Sequence, residues 1–145
     1  EHEKETIENL SKLVDDGEKY GIPVLAVTAV GKEMVRDARY LGLASRICVE
    51  IGAHIIKTYY TEGFDKVVEA CGKVPVVIAG GKKLPEIDAL KMAHGAISDG
   101  AVGVDMGRNI FQSDSPVGMI QAVRTIVHDG KSVDEAYEIY EQMKR

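Results

Sequence analysis

Apolar residues recur along the chain with two periods, and the alternation lays out its elements. From Glu5 to Tyr20, Ile7, Leu10, Leu13 and Val14 fall at helical spacing, and the pattern breaks at Gly21-Ile22-Pro23. Pro23 to Thr28 is a short unbroken apolar run, the mark of a strand covered on both faces. Gly31 and Lys32 read as a loop. Met34, Val35, Ala38, Leu41, Ala44, Ile47, Cys48 and Ile51 then predict a long amphipathic helix closed by Gly52. His54 to Tyr59 is a second strand, Gly63 to Cys71 a short helix, and Val74 to Ala79 a third strand. Pro85 opens a helix at the position that favours proline, running to Asp99 ahead of Gly100. Ala101 to Met106 is a fourth strand of smaller residues, Ile110 to Gln112 a single helical turn, and Pro116 to His128 a helix. Ser132 opens the last helix, with Glu135 three residues on to complete a capping box.

Strands alternating with helices in this way predict a parallel α/β sheet, either open and doubly wound or part of a closed barrel. Periodicity does not choose between them. No linker or low-complexity stretch divides the chain, so residues 1–145 are expected to form a single unit.

Composition narrows the function. A net charge of −5 argues against nucleic-acid or anionic-membrane surfaces, both of which want basic patches. No apolar run approaches the roughly 18 residues of a membrane span, and no signal-peptide pattern opens the chain. Cys48 and Cys71 lack metal-type spacing and read as reduced thiols of a cytoplasmic protein. No metal-ligand cluster, Ser-His-Asp set or Walker-type loop is visible, and no bound cofactor is expected. The chain opens Glu1-His2-Glu3-Lys4 without a methionine and already inside a helical pattern, which suggests a processed chain or one whose beginning is missing.

The residues that point to chemistry sit at strand ends, where α/β folds bind ligands. Lys57 lies inside the apolar stretch Ala53 to Tyr60. An ammonium in such surroundings loses hydration, which favours the neutral amine, and an amine of that kind attacks carbonyls to form a Schiff base. A snorkelling or ion-paired strand lysine would give the same pattern. Gly80-Gly81 and Gly107-Arg108 each follow a strand and, with the short helical turn at Asn109, would bring bare backbone N–H groups to a phosphate, although a Gly-Gly pair alone is also an ordinary tight turn. Lys82 and Lys83 read as solvated loop charges within reach of such an anion. Tyr59 and Tyr60 straddle a strand end, and either phenol could act as an acid or simply pack. Asp105 alternates with the apolar positions of its strand and reads equally as a catalytic group or a structural ion-pair partner for lysine. His54, His94 and His128 read as structural. His2 stands apart because a strand preceding it would set it at the active mouth. Arg36, Asp37, Arg39 and Tyr40 form a polar patch at a helix start, read as a solvated or subunit-contacting face rather than a substrate clamp.

Three segments, Ile55 to Tyr60, Val77 to Pro85 and Gly103 to Asp114, together resemble the class I aldolase family that includes archaeal fructose-1,6-bisphosphate aldolase. Val27 to Lys32 and Met34 to Asp37 extend the likeness over essentially the whole chain. The resemblance implies a (βα)8 TIM barrel of which this chain is the C-terminal half, strands 5 to 8 with their helices. It makes Lys57 the strand-6 Schiff-base lysine and Gly80, Gly81, Gly107 and Arg108 the phosphate loops after strands 7 and 8. Tyr59, Asp105 and His2 stay candidates for acid/base or supporting roles on the reading of the residues alone.

Fructose-bisphosphate aldolases of this family carry Tyr-Pro-Arg-Gly after strand 5, whereas Val27 to Lys32 holds no phenol. The resemblance is therefore nearer to the branch of thiolases that degrade phosphorylated autoinducer-2, with coenzyme A as co-substrate and a decamer-type ring as the expected homo-oligomer. Sugar-phosphate cleavage without coenzyme A, and an inactive half-barrel needing its other half, are the competing expectations.

Overall fold

The computed structural model describes residues 2–29 and 35–144. The loop expected at Gly31-Lys32, and Met34, lie outside them. The chain divides into two compact units, Glu1–Val77 and Ile78–Arg145, described in turn. The boundary falls inside a strand of a parallel four-stranded sheet ordered β1-β2-β3-β4, with β1 at Leu25–Val27, β2 at Ile55–Tyr59, β3 at Val76–Ala79 and β4 at Gly103–Asp105.

The first unit opens with α1, Glu3–Tyr20, which carries Glu3 and Glu5 in its first turn, where they complement the helix dipole. It ends at Gly21, whose φ of 66° is the left-handed cap that glycine adopts without cost. A Cβ at Gly17 would lie 2.7 Å from the Ile22 carbonyl oxygen, so α1 presses directly on the segment that leads into β1. Helix α2 runs Ala38–Glu50 and α3 Phe64–Cys71. The helix expected from Met34 onward begins only at Ala38, because the Asp37 carboxylate accepts from the Tyr40 N–H and caps it there. Val14, Leu41, Ile56, Phe64, Val67 and Cys71 are buried in this unit.

Strands β1 and β2 pair in parallel, Leu25 opposite Ile55 and Val27 opposite Lys57. The apolar run of β1 predicts cover on both faces. In the structure Ala26 is buried while Leu25 and Val27, on the other face, are exposed. Alternation along the strand splits the run between two environments.

The second unit holds α4 (Glu86–Ser98), α5 (Arg108–Phe111), α6 (Pro116–Asp129) and α7 (Val133–Met143). Its core includes Leu90, Met119, Ile126 and Tyr140, each almost wholly buried. The capping box read at Ser132 and Glu135 is formed: the Ser132 hydroxyl accepts from the Glu135 N–H, and the Glu135 carboxylate accepts from the Ser132 N–H at 3.0 Å.

Candidate active site

In the first unit the chemistry is carried by β2. Ile56 and Thr58 are fully buried, and the pleat turns Ile55, Lys57 and Tyr59 to the opposite face, where each is half-buried. Lys57 is therefore less enclosed than an all-apolar strand implies. Its backbone is held firmly, the Lys57 carbonyl accepting from the Thr28 N–H at 2.9 Å. Tyr59 shares the Lys57 face, and the Arg36 guanidinium stacks over its ring, 4.3 Å from the centroid. The Arg36 carbonyl accepts from the Thr61 hydroxyl at 3.1 Å, which ties the segment after β1 to the segment after β2. Tyr60 turns the other way and packs its ring 5.4 Å from that of Phe64, a core residue. Thus the two tyrosines divide as expected, and Tyr59 is the one beside the lysine.

Arg36 thereby joins a ring on the lysine face, a contact that the reading of Arg36, Asp37, Arg39 and Tyr40 as a peripheral patch did not include. An open cleft of about 740 Å³ runs beside it, lined by Arg36, Asp37, Arg39, Arg46, Thr61 and Lys66 among others; Lys57 and Tyr59 do not line it.

In the second unit the loop after β3 runs from Gly80 to Leu84, and the turn after β4 holds Gly107 and Arg108. Gly80 is buried, and a Cβ there would lie 2.9 Å from the Cβ of Met106 and 3.0 Å from Nδ2 of Asn109. Gly81 has φ +63° with open space around it, so its backbone rather than its packing requires glycine. Gly107 has ordinary φ, −81°, and Arg108 projects exposed from the start of α5. Lys82 is exposed, as a solvated loop charge would be. Lys83 is not: it is half-buried, donates to the Leu84 carbonyl at 2.7 Å, and pairs with Glu86 at 2.6 Å. That hydrogen bond from Lys83 holds the Glu86 carboxyl below its ordinary range.

The sequence places Asn109 in the short helical turn beside Arg108, and the structure gives its side chain specific partners. It is fully buried, and its side-chain amide donates to the Gly80 carbonyl at 2.7 Å and to the Lys82 carbonyl at 3.3 Å. Its Oδ1 accepts from the Leu84 N–H at 2.8 Å. The only sequence signal is a polar residue where a helical turn closes on the strand before it.

Asp105 ends β4 with its side chain exposed. His2 precedes α1 at the surface, its Nδ1 3.7 Å from the Glu5 carboxylate. His54 accepts from the Val24 N–H at 3.2 Å, a backbone-supporting role. Cys48 and Cys71 are free thiols rather than half-cystines, and burial pushes both above their ordinary range. No helix among the described residues is long and apolar enough to cross a membrane.

Comparison with known proteins bears on the family and the fold. Residues 1–113 match the profile of the DeoC/LacD family aldolases. The 3-hydroxy-5-phosphonooxypentane-2,4-dione thiolase of Enterobacter sp. (strain 638) is 58% identical over 146 aligned positions, covering 100% of this chain and 49% of that protein. Among solved structures, an archaeal fructose 1,6-bisphosphate aldolase superposes with a TM-score of 0.83 at 31% identity, covering 88% of this chain and 54% of the other. A second archaeal aldolase, solved with its catalytic lysine covalently bound to the carbinolamine intermediate of its substrate, gives a TM-score of 0.73 at 27% identity, covering 99% and 54%. The chain spans about half the length of the curated relatives it matches. That share, with the parallel sheet, accords with the C-terminal half of an aldolase-type TIM barrel. The chain belongs to the DeoC/LacD family of aldolases.

Proposed function

We propose that the whole protein is a lysine-dependent thiolase that transfers an acetyl group from 3-hydroxy-5-phosphonooxypentane-2,4-dione to coenzyme A in autoinducer-2 degradation. The observation that carries the reading is Lys57, half-buried at the middle of β2 on the same face as Tyr59. The name of the Enterobacter relative favours this branch of the family, and the carbinolamine of the second archaeal aldolase favours an amine as the reacting group. Backbone N–H groups at Gly80-Gly81 and Gly107, with the exposed Arg108 guanidinium, hold the substrate phosphate.

The Lys57 amine adds to the carbonyl nearer the phosphate and loses water to give an iminium. The coenzyme A thiolate adds to the acetyl carbonyl, and the bond from that carbon to the hydroxyl-bearing carbon breaks. The bonding pair passes into the iminium as an enamine, which is why an amine rather than a carboxylate is needed. Protonation of the enamine carbon uses the proton lost by the thiol, and hydrolysis releases a three-carbon hydroxyketone phosphate and frees Lys57. Tyr59, with Arg36 stacked on its ring, is the group we assign to proton transfer. Asp105 and His2 are assigned supporting roles only. The free thiols Cys48 and Cys71 suit a reducing cytoplasm.

Borohydride reduction of the intact protein with substrate should trap one adduct, located on Lys57 by mass spectrometry. An adduct on another residue overturns the assignment, as does turnover by Lys57→Met. The likeness to fructose-bisphosphate aldolases supports one rival, cleavage of a sugar phosphate without coenzyme A. Turnover that is unchanged when coenzyme A is omitted would favour the rival.

A further inference from the structure

We propose that Asn109 is the positioning residue of the phosphate site, coupling the loop after β3 to the turn after β4. The inference rests on the reading of Gly80-Gly81 and Gly107-Arg108 as phosphate-binding, and goes beyond it by naming what holds them in place. The side-chain amide of asparagine offers two donor hydrogens and an acceptor, and Asn109 uses both kinds within one loop: Gly80 and Lys82 carbonyls accept from Nδ2, and the Leu84 N–H donates to Oδ1. Three backbone groups of the loop from Gly80 to Leu84 are thus held by one side chain. That side chain has no solvent exposure. Asn109 is also the residue after Arg108, so the same amino acid fixes the backbone that presents the guanidinium.

A simple βα turn does not require this. The absence of a Cβ at Gly80 adds a second, independent constraint, because a methyl group there would collide with Met106 and with the Asn109 amide. The glycine lets Asn109 come close, and Asn109 fixes the direction in which the Gly81 and Lys82 amides point. A dianionic phosphate monoester needs several N–H donors aimed at one point. Donors fixed before binding lose less freedom on binding.

The test uses the intact, full-length protein with inorganic phosphate as probe. Asn109→Leu keeps the size of the side chain and removes all three hydrogen bonds, and Asn109→Ser is the smaller alternative should leucine impair folding. The phosphate dissociation constant should rise at least about tenfold in the folded variant. Borohydride trapping of acetone, which carries no phosphate, should continue at Lys57 as in the unsubstituted protein. Unchanged phosphate affinity overturns the inference, and so does a parallel loss of acetone trapping, which would make Asn109 merely structural. In the unsubstituted protein, saturation with phosphate should slow hydrogen exchange at the Leu84 N–H, and no slowing also overturns the inference. If the unsubstituted protein binds no phosphate, the phosphate reading itself falls and takes this inference with it.

Discussion

Gly80 and Gly81 are adjacent and identical, yet each is glycine for its own reason. Gly80 has no room for a Cβ against Met106, whereas Gly81 has room but a left-handed backbone. Gly80→Ala should therefore destabilise the intact protein by about 1–3 kcal/mol through overpacking, since the opposing atom is a Cβ that cannot swing away. Gly81→Ala should cost about 1–2 kcal/mol through backbone strain alone. Urea denaturation of the two variants checks both values; a neutral Gly80→Ala would show that the Met106 contact yields. Tyr140 is the converse case. Its ring is buried in the second core, and its hydroxyl has no hydrogen-bond partner among the described residues. Tyr140→Phe should be neutral or stabilising by up to about 1 kcal/mol, because it removes a desolvated group and leaves the packing in place. A clear loss of stability on urea denaturation would mean that the hydroxyl is satisfied after all.

Elements whose signals are local were legible in the sequence, and the capping box of α7 is the clearest. Ser132 and Glu135 lie three residues apart and need nothing else to form it. Glu135 is held down to about 2, first by the Lys131 ammonium and then by the Ser132 N–H and hydroxyl. Its folded value lies below its ordinary 4.5, so its stabilisation is complete above about 4.5 and is lost as pH falls toward 2. The stability gap between the unsubstituted protein and Glu135→Gln, followed by thermal denaturation, should close over that window. A gap independent of pH would show that the carboxylate charge is not involved. Ser132→Ala should cost about 1 kcal/mol at neutral pH.

Signals that depend on distant partners are less legible. The apolar period runs back through Val35, but the capping by Asp37 outweighs it and α2 begins at Ala38. Lys83 read as a solvated charge because only the fold brings its ammonium onto the Leu84 carbonyl and Glu86. Lys57 and the glycine loops are legible because a charge inside an apolar strand, or a glycine just after one, stands out against its neighbours. Asn109 is legible only as part of the turn beside Arg108, not in the contacts of its side chain. Its partners lie 25 to 29 residues earlier, and a buried asparagine looks like any loop asparagine until the chain closes on it.

For the whole molecule, the order β1-β2-β3-β4 leaves β1 and β4 as the edge strands of the sheet. Edge strands present unpaired backbone donors and acceptors, and soluble proteins commonly guard them with charge, proline or cover. The described residues of β1 are poorly guarded, Val27 being 65% exposed; β4 carries the exposed Asp105, although Val102 just ahead of it is 58% exposed. In a closed barrel such positions have neighbours, and the curated relatives are about twice the length of this chain. The polypeptide of residues 1–145 expressed by itself should therefore associate at micromolar concentration, as judged by light scattering on a sizing column. Val27→Lys should move it toward the monomer, because a charge at an exposed edge position opposes strand addition. A monodisperse, stable monomer would show that the edges are already protected. If association persists undiminished in Val27→Lys, contact must run through a surface other than β1, and the exposed Val102 beside β4 becomes the next position to charge.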